Sequence, residues 1–220
     1  MRYEGEYKNG KYHGFGKLYD DRNELLYEGE FEEGVYSGEG TSMEFWNILD
    51  QMYFGNFFNG KPHGYGTEFA KGRENGEVAP ITLFKGQFKN GRRHGNGVLN
   101  YSLSDKIFRF GMSHDANYQY QPDNSVLKTE EGYKLYEGEF VEGRQEGYGK
   151  IFTYPDGHLY YEGEFTRDSF NGKGMIYQAP GVLLYEGGFR FNKWHGFGIS
   201  YNKSGRVSKK GYWELGYFRG

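Results

Sequence analysis

Aromatic and charged residues alternate along short stretches of this chain, and each stretch is followed by glycines at fixed distances. In the first stretch, Tyr3, Gly5 and Tyr7 alternate with Glu4 and Glu6. Alternation with a period of two residues is typical of a β-strand whose two faces differ. The pattern therefore predicts strands with one face of aromatic residues and glycines and a second face of charged residues.

The same pattern recurs along the chain as a template of fourteen residues, aromatic-x-Gly-x-aromatic-x-x-Gly-x-x-x-Gly-x-Gly. Seven clear copies begin at Tyr3, Tyr27, Tyr53, Phe84, Tyr136, Tyr161 and Tyr185. The step from Phe84 to Tyr136 is 52 residues, twice a step of 26, so a degenerate copy is predicted at about 109–135. A partial copy is predicted at about 209–220. A fixed period of this size is typical of repeat architectures, so residues 1–220 are predicted to form a single array.

The centre of each copy carries the signal of a β-hairpin. Asn9-Gly10 lies between two predicted strands, and Asn59-Gly60 and Asn90-Gly91 repeat it. Such a dipeptide favours a type I′ turn, because that turn requires positive φ at both central residues. Two later copies carry Asp168 and Asn192 in place of the turn glycine, which leaves their turn type open.

A two-residue turn also predicts which residues of the two strands lie opposite each other. The predicted register pairs Tyr7 with Tyr12, Gly5 with Gly14, and Tyr3 with Gly16. Directly opposed residues share a face of the sheet. We therefore expect each tyrosine ring to lie flat on glycine backbone, where no side chain occupies the space.

The longest link between well-formed copies joins the third copy to the fourth. Residues 68–80 are mostly polar and include Gly72 and Gly76. Glycine and polar residues between patterned segments are typical of loops. The sequence predicts a surface loop here.

Two copies, Tyr27 to Gly40 and Tyr136 to Gly149, read Tyr-Glu-Gly-Glu-Phe-x-x-Gly-x-x-x-Gly-x-Gly. This pattern resembles the repeat of the MORN family, and the resemblance covers nearly all of residues 3–220. It implies an all-β fold, in which consecutive β-hairpins form an elongated, single-layer, twisted antiparallel sheet with a groove. MORN proteins similar to this one include components of radial spokes and of parasite cytoskeletons. The resemblance thus implies a non-catalytic scaffold or adaptor in a cytoskeletal or ciliary assembly.

Composition narrows the choice of partner and compartment. The formal net charge is −3, with acidic and basic residues mixed, whereas nucleic-acid binding usually needs a basic face. The chain has no cysteine, which excludes disulfides and thiolate metal sites. No apolar run approaches the roughly 20 residues that span a bilayer. Because the first copy begins at residue 3, we expect no signal peptide. A cytoplasmic protein associated with the cytoskeleton or axoneme is expected.

The sequence offers little chemistry for catalysis, so we expect no enzyme, cofactor or metal site. His13, His63, His94 and His195 share one template position, which the repeat itself explains. Successive copies lie roughly 9–10 Å apart at about 4.8 Å per strand, too far to share one ion. No nucleotide-binding or nucleophile motif is present. A fragment of a larger enzyme remains a minor hypothesis, because some MORN repeats precede kinase or methyltransferase domains.

The aromatic and glycine face is the predicted binding site for a partner protein, as a helix or extended segment laid along a groove. The candidate contacts are Tyr3, Tyr7, Tyr27, Phe31, Tyr53, Phe57, Phe84 and Phe88. The alternative is a peripheral membrane module that binds anionic phospholipid. Its candidate headgroup contacts are Lys85, Lys89, Arg92 and Arg93, and clusters of about four to eight such residues suit anionic lipid. The partial copy also suggests self-association at the C-terminal strand edge.

Overall fold

The computed structural model describes residues 1–43, 51–74, 77–101, 133–153 and 156–220. These residues contain β-strands and turns and no helix, which confirms the predicted all-β class. Sixteen strands are described, and within each of the two units named below neighbouring strands are antiparallel and follow one another in chain order. Residues 109–132 of the predicted degenerate copy lie outside the described residues.

The chain divides into two compact units. The first unit, residues 1–97, contains β1 (Arg2–Lys8), β2 (Lys11–Tyr19), β3 (Leu25–Glu32), β4 (Val35–Ser42), β5 (Gln51–Phe58), β6 (Lys61–Glu74), β7 (Glu77–Lys89) and most of β8 (Arg92–Tyr101). The second contains β9 (Tyr133–Val141), β10 (Arg144–Phe152), β11 (Leu159–Thr166), β12 (Ser169–Ala179), β13 (Val182–Arg190), β14 (Lys193–Tyr201), β15 (Val207–Glu214) and β16 (Tyr217–Phe218).

The hairpin turns have the backbone that the sequence predicts. Asn9 and Gly10 have φ angles of 53° and 74°, and the other Asn-Gly turns match them. The turns that the sequence left open are of the same kind: φ is 49° and 64° at Arg167-Asp168, and 51° and 64° at Phe191-Asn192. Asp and Asn tolerate positive φ better than other non-glycine residues, which allows both substitutions.

The predicted register holds only beside the turn. Tyr7 lies opposite Tyr12 as expected, but Gly5 lies opposite Gly16 and Tyr3 lies opposite Leu18. The predicted pairs Gly5–Gly14 and Tyr3–Gly16 are therefore wrong. A β-bulge leaves two residues of β2 without a partner on β1, so every pairing beyond it shifts by two.

The bulge lies at Gly14 and brings a carboxylate against the backbone. Its φ is 62°, and the carboxylate of Glu6 occupies the space that a Cβ on Gly14 would need. The Glu6 Oε1 atom accepts a hydrogen bond from the Phe15 backbone N–H at 3.4 Å. Glycine at this position thus leaves space for the carboxylate and allows the positive φ of the bulge. No ring lies on it.

Residues 68–80 do not form a loop across the whole predicted range. Strands β6 and β7 stay paired outward to Arg73 opposite Val78 and Glu74 opposite Glu77. The prediction was wrong because backbone pairing satisfies the peptide groups of an extended hairpin whether or not its side chains are apolar.

The core lies on one face of the sheet and is built mostly of aromatic rings. Tyr27, Tyr136, Tyr161 and Tyr185 are fully buried, although no second sheet packs on them among the described residues. Glycine makes this possible: a Cβ on Gly16 would collide with the hydroxyl and ring of Tyr3. Burial of each large aromatic side chain contributes on the order of 2 kcal/mol.

Candidate functional site

The aromatic face is the face that carries the first- and fifth-position rings of the template, and it holds all eight predicted partner contacts. Six of these side chains are buried: Tyr27, Phe31, Tyr53, Phe57, Phe84 and Phe88. Tyr3 is partly exposed, and Tyr7 is 61% exposed. The six buried rings therefore contribute first to folding, and their role as partner contacts stays a prediction.

The rings of this face pack edge to face within and between hairpins. The Tyr27 ring lies 5.0 Å from Phe31 of its own hairpin, at 85°. It also lies 5.1 Å from Phe57 of the next hairpin, at 90°. Edge-to-face pairs are a favourable geometry for aromatic rings, worth about 0.5–1.5 kcal/mol beyond their burial. The first position thus connects each hairpin to the next.

A second layer of side chains covers the first-position rings, and the sequence analysis missed it. The tenth-position ring stacks flat on the first-position ring at 3.9 Å in Tyr12–Tyr3, 3.8 Å in Tyr36–Tyr27, 3.8 Å in Phe170–Tyr161 and 4.3 Å in Trp194–Tyr185. The signal was available, because these four aromatic residues share one template position. Tyr12, Tyr36 and Trp194 remain partly exposed.

The first-position hydroxyls donate hydrogen bonds to backbone carbonyls within the sheet. Tyr27 donates to the Glu30 carbonyl at 3.0 Å, and Tyr185 donates to the Gly188 carbonyl at 3.1 Å. Burial raises the pKa of Tyr185 to about 12. Burial also raises the pKa of Tyr27, Tyr136 and Tyr161 well above the ordinary value. These hydroxyls are structural groups, unsuited to proton transfer near neutral pH.

The structure does not bring the four candidate lipid contacts together on one face. The Arg93 Nη2 atom lies 2.6 Å from the Glu68 carboxylate, and its guanidinium lies over the Phe84 ring at 4.9 Å. Lys85 is exposed on the opposite face, across from Thr67. Arg93 is thus held on the aromatic face, away from Lys85.

The charged face is the opposite face, and its glutamates do more than contact solvent. The fourth-position carboxylates of Glu6, Glu30, Glu139 and Glu164 each accept a backbone N–H at the bulge, at 3.2–3.4 Å. Between the last two template glycines this face presents exposed rings: Phe15, Tyr65, Tyr148 and Phe197. The sequence analysis assigned these rings no role.

Four histidines at one template position have a shared environment. The Nδ1 atoms of His13, His63, His94 and His195 are buried without a hydrogen-bond partner. In the described ranges, no group of three or more His, Cys, Asp or Glu side chains could hold a metal ion. Nor does this part of the chain contain a helix long and apolar enough to cross a membrane.

The predicted partial copy forms a short hairpin. Strand β15 pairs with β16 through Trp213 opposite Phe218 and Glu214 opposite Tyr217. Beyond β16, the Gly220 carbonyl accepts a hydrogen bond from the Tyr212 N–H at 2.7 Å. Self-association at this edge stays a prediction.

A model of the MORN repeat matches seven segments, which together cover more than half of the chain: residues 3–23, 27–42, 53–73, 84–102, 136–159, 161–181 and 185–205. Each segment begins at the first-position aromatic residue of a clear template copy. No curated protein matches the chain significantly.

Proposed function

The chain belongs to the MORN repeat family, and on that premise we propose that it is a non-catalytic scaffold or adaptor that binds a partner protein along its aromatic face. MORN repeats generally mediate protein or membrane interactions, and the family is a non-enzymatic repeat module. We place the protein in the cytoplasm, in a cytoskeletal or ciliary assembly, on the strength of the family resemblance alone.

The observation that carries the proposal is the layer of tenth-position rings. Tyr12, Tyr36 and Trp194 lie flat on first-position tyrosines and keep part of their surface accessible. Rigid, partly exposed Tyr and Trp side chains are the residues that most often dominate binding energy at interfaces. These rings, together with Tyr7, offer a partner more area than the buried rings beneath them.

The spacing of these rings favours a helix as the bound segment. Tyr12 and Tyr36 lie on β2 and β4, two strand spacings or roughly 9–10 Å apart. Residues i and i+7 of an α-helix lie on one face about 10.5 Å apart along the axis. An amphipathic helix with apolar residues seven positions apart would thus match successive hairpins.

Photo-crosslinking from single positions tests the proposal. Benzoylphenylalanine replaces Tyr7 or Tyr36 on the aromatic face, and Tyr148 on the charged face serves as the matched control. We expect a protein crosslink in cells from Tyr7 and Tyr36. Absence of protein crosslinks from both positions would overturn the proposal, and crosslinks from Tyr148 alone would overturn the choice of face.

A further inference from the structure

The charged face of the first unit exposes aromatic rings that the core does not use. Phe15, Phe54 and Tyr65 are 55%, 43% and 60% exposed. Phe15 and Tyr65 occupy the same template position on β2 and β6, and Phe54 lies between them on β5. Exposed apolar groups gathered on one surface of a soluble protein usually mark an interaction site.

Three carboxylates lie among these rings. Glu30 lies opposite Phe15 on the neighbouring strand, and Glu39 lies opposite Asn56, two residues along β5 from Phe54. Glu6 and Glu30 are held in place by hydrogen bonds from the Phe15 N–H at 3.4 Å and the Glu39 N–H at 3.3 Å. We call the six side chains Phe15, Phe54, Tyr65, Glu6, Glu30 and Glu39 the acidic ring patch.

The negative charge of this patch is not neutralised within the part of the chain that the structure describes. Glu6, Glu30 and Glu39 form no ion pair there. Neighbouring glutamates on the same face differ, because Glu4 pairs with Arg2 and Glu28 pairs with Lys17, each at 3.0 Å. Carboxylates without an ion-pair partner attract cations by ion pairing. The faces of the exposed rings beside them attract cations by cation–π interaction.

We propose that the acidic ring patch binds a basic segment of a partner protein, with Lys or Arg side chains over Phe15 and Tyr65 and paired with Glu30 and Glu39. These two rings are four strand spacings apart, roughly 19 Å. A helix of about 13 residues spans that distance. The inference uses the face opposite to the one in the proposed function, so either can fail without the other.

The second unit supplies an internal control. Tyr148 and Phe197 take the positions of Phe15 and Tyr65 and are similarly exposed, at 50% and 51%. The residue between them is Lys173, where the acidic ring patch has Glu39. Because Lys173 between these rings repels a basic segment, this second surface should not bind it.

The experiment selects peptides from a random library of about 13 residues, the length that spans the patch as a helix, on the immobilised full chain. Selected peptides are then titrated in solution by fluorescence anisotropy. We expect sequences rich in Lys and Arg, with affinity that falls as salt increases. Glu39→Lys should weaken binding about tenfold or more, since it replaces attraction by repulsion at the centre of the patch.

Three variants complete the design. Phe15→Ser should also weaken binding, whereas Tyr148→Ser and Tyr36→Ala should leave it unchanged. Circular dichroism and thermal unfolding check the fold. Glu39→Lys tests the patch even if Phe15→Ser misfolds, because among the described residues Glu39 forms a hydrogen bond through its backbone N–H and not through its side chain. Selection of no peptides, of neutral or acidic peptides, or of peptides that bind the Glu39→Lys variant equally would overturn the proposal. So would binding that depends on Tyr36.

Discussion

At the residue scale, the fold depends on the absence of single methyl groups. A Cβ on Gly149 would lie 2.5 Å from Cε2 and 2.6 Å from Cζ of Tyr136. On the neighbouring strand, a Cβ on Gly138 would lie 2.6 Å from the Gly149 Cα. Glycine weakens a strand by roughly 0.5–1 kcal/mol relative to alanine. Burial of the ring that lies on these glycines contributes more than that, which explains why the template keeps them.

We therefore predict that Gly149→Ala lowers the free energy of unfolding by about 1–3 kcal/mol, as overpacking does. Lys150→Ala, one residue along and on the charged face, should change it by less than about 0.5 kcal/mol, since Lys150 is 44% exposed. Urea denaturation of both variants measures the difference. Equal losses would contradict the assignment of Tyr136 and Lys150 to opposite faces.

The buried tyrosines also predict how stability depends on pH. Burial raises the pKa of Tyr185 from 10.0 to about 12, and it raises the pKa of Tyr27, Tyr136 and Tyr161. The folded protein thus retains phenol protons that the unfolded chain loses. Stability from these groups is complete below pH 10 and is lost as pH rises from about 10 through about 12.

Titration to alkaline pH should accordingly unfold the protein, with ionisation of the buried tyrosines and loss of β-sheet circular dichroism appearing together. Tyr185→Phe removes one coupled proton and should make the alkaline loss of stability shallower. The substitution also removes the hydrogen bond to the Gly188 carbonyl. The two proteins are therefore compared by how steeply their free energy of unfolding falls with pH. Full tyrosine ionisation before any loss of sheet would contradict this account.

At the scale of the element, hairpin turns bond to the backbone of the hairpin before them. The Gly34 N–H donates to the Tyr12 carbonyl at 2.9 Å, and Asp168 makes the equivalent bond to the Gln145 carbonyl at 3.1 Å. Where the turn glycine is replaced, the new side chain adds a bond: Asp168 Oδ1 accepts the Gln145 N–H at 2.8 Å. The departure from the template therefore adds a link between neighbouring hairpins.

Two substitutions of Asp168 distinguish the contribution of the turn conformation from that of the hydrogen bond to Gln145. Asp168→Asn keeps an acceptor and a residue that tolerates positive φ, and it should change stability by less than about 0.5 kcal/mol. Asp168→Ala loses the bond, worth about 1 kcal/mol, and places alanine in the left-handed region at a further cost of about 1 kcal/mol. Chemical denaturation should give a total loss near 2 kcal/mol. Equal stability of the Asn and Ala variants would show that the bond contributes nothing.

At the scale of the whole molecule, charge bears on the choice between protein and bilayer as partner. The net charge is −3, and the most basic copy of the template has Arg93 paired with Glu68. Attraction to anionic lipid increases with each Lys or Arg near the surface, by about 1 kcal/mol per residue. A divided cluster on a chain of net negative charge should bind such lipid weakly.

We predict no co-flotation with vesicles that contain phosphatidylserine at physiological salt, where the Debye length is about 8 Å. Vesicles of neutral lipid serve as the control, and a variant with Lys85→Glu and Lys89→Glu tests the cluster. Strong flotation that is sensitive to salt and abolished in this variant would favour the membrane alternative over a protein partner.

The sequence by itself determined the repeat and the elements. The Tyr-x-Gly-x-aromatic alternation defined strands, and Asn9-Gly10 defined a type I′ turn, because both depend on local backbone preferences. The division into an aromatic and a charged face also followed, since side chains alternate along a strand. The seven starting residues agree with the matched family segments.

Tertiary structure decided the register and the accessibility of the rings. At the bulge around Gly14, the Glu6 carboxylate accepts the Phe15 N–H, a contact between strands that spacing along one strand does not encode. Whether a ring is core or surface depends on what covers it. Phe31 is buried because Tyr3 and Tyr12 pack edge to face on it, whereas Tyr7, the same template position on the first strand, is exposed. Two identical positions thus differ through their neighbours, because burial belongs to the assembled sheet.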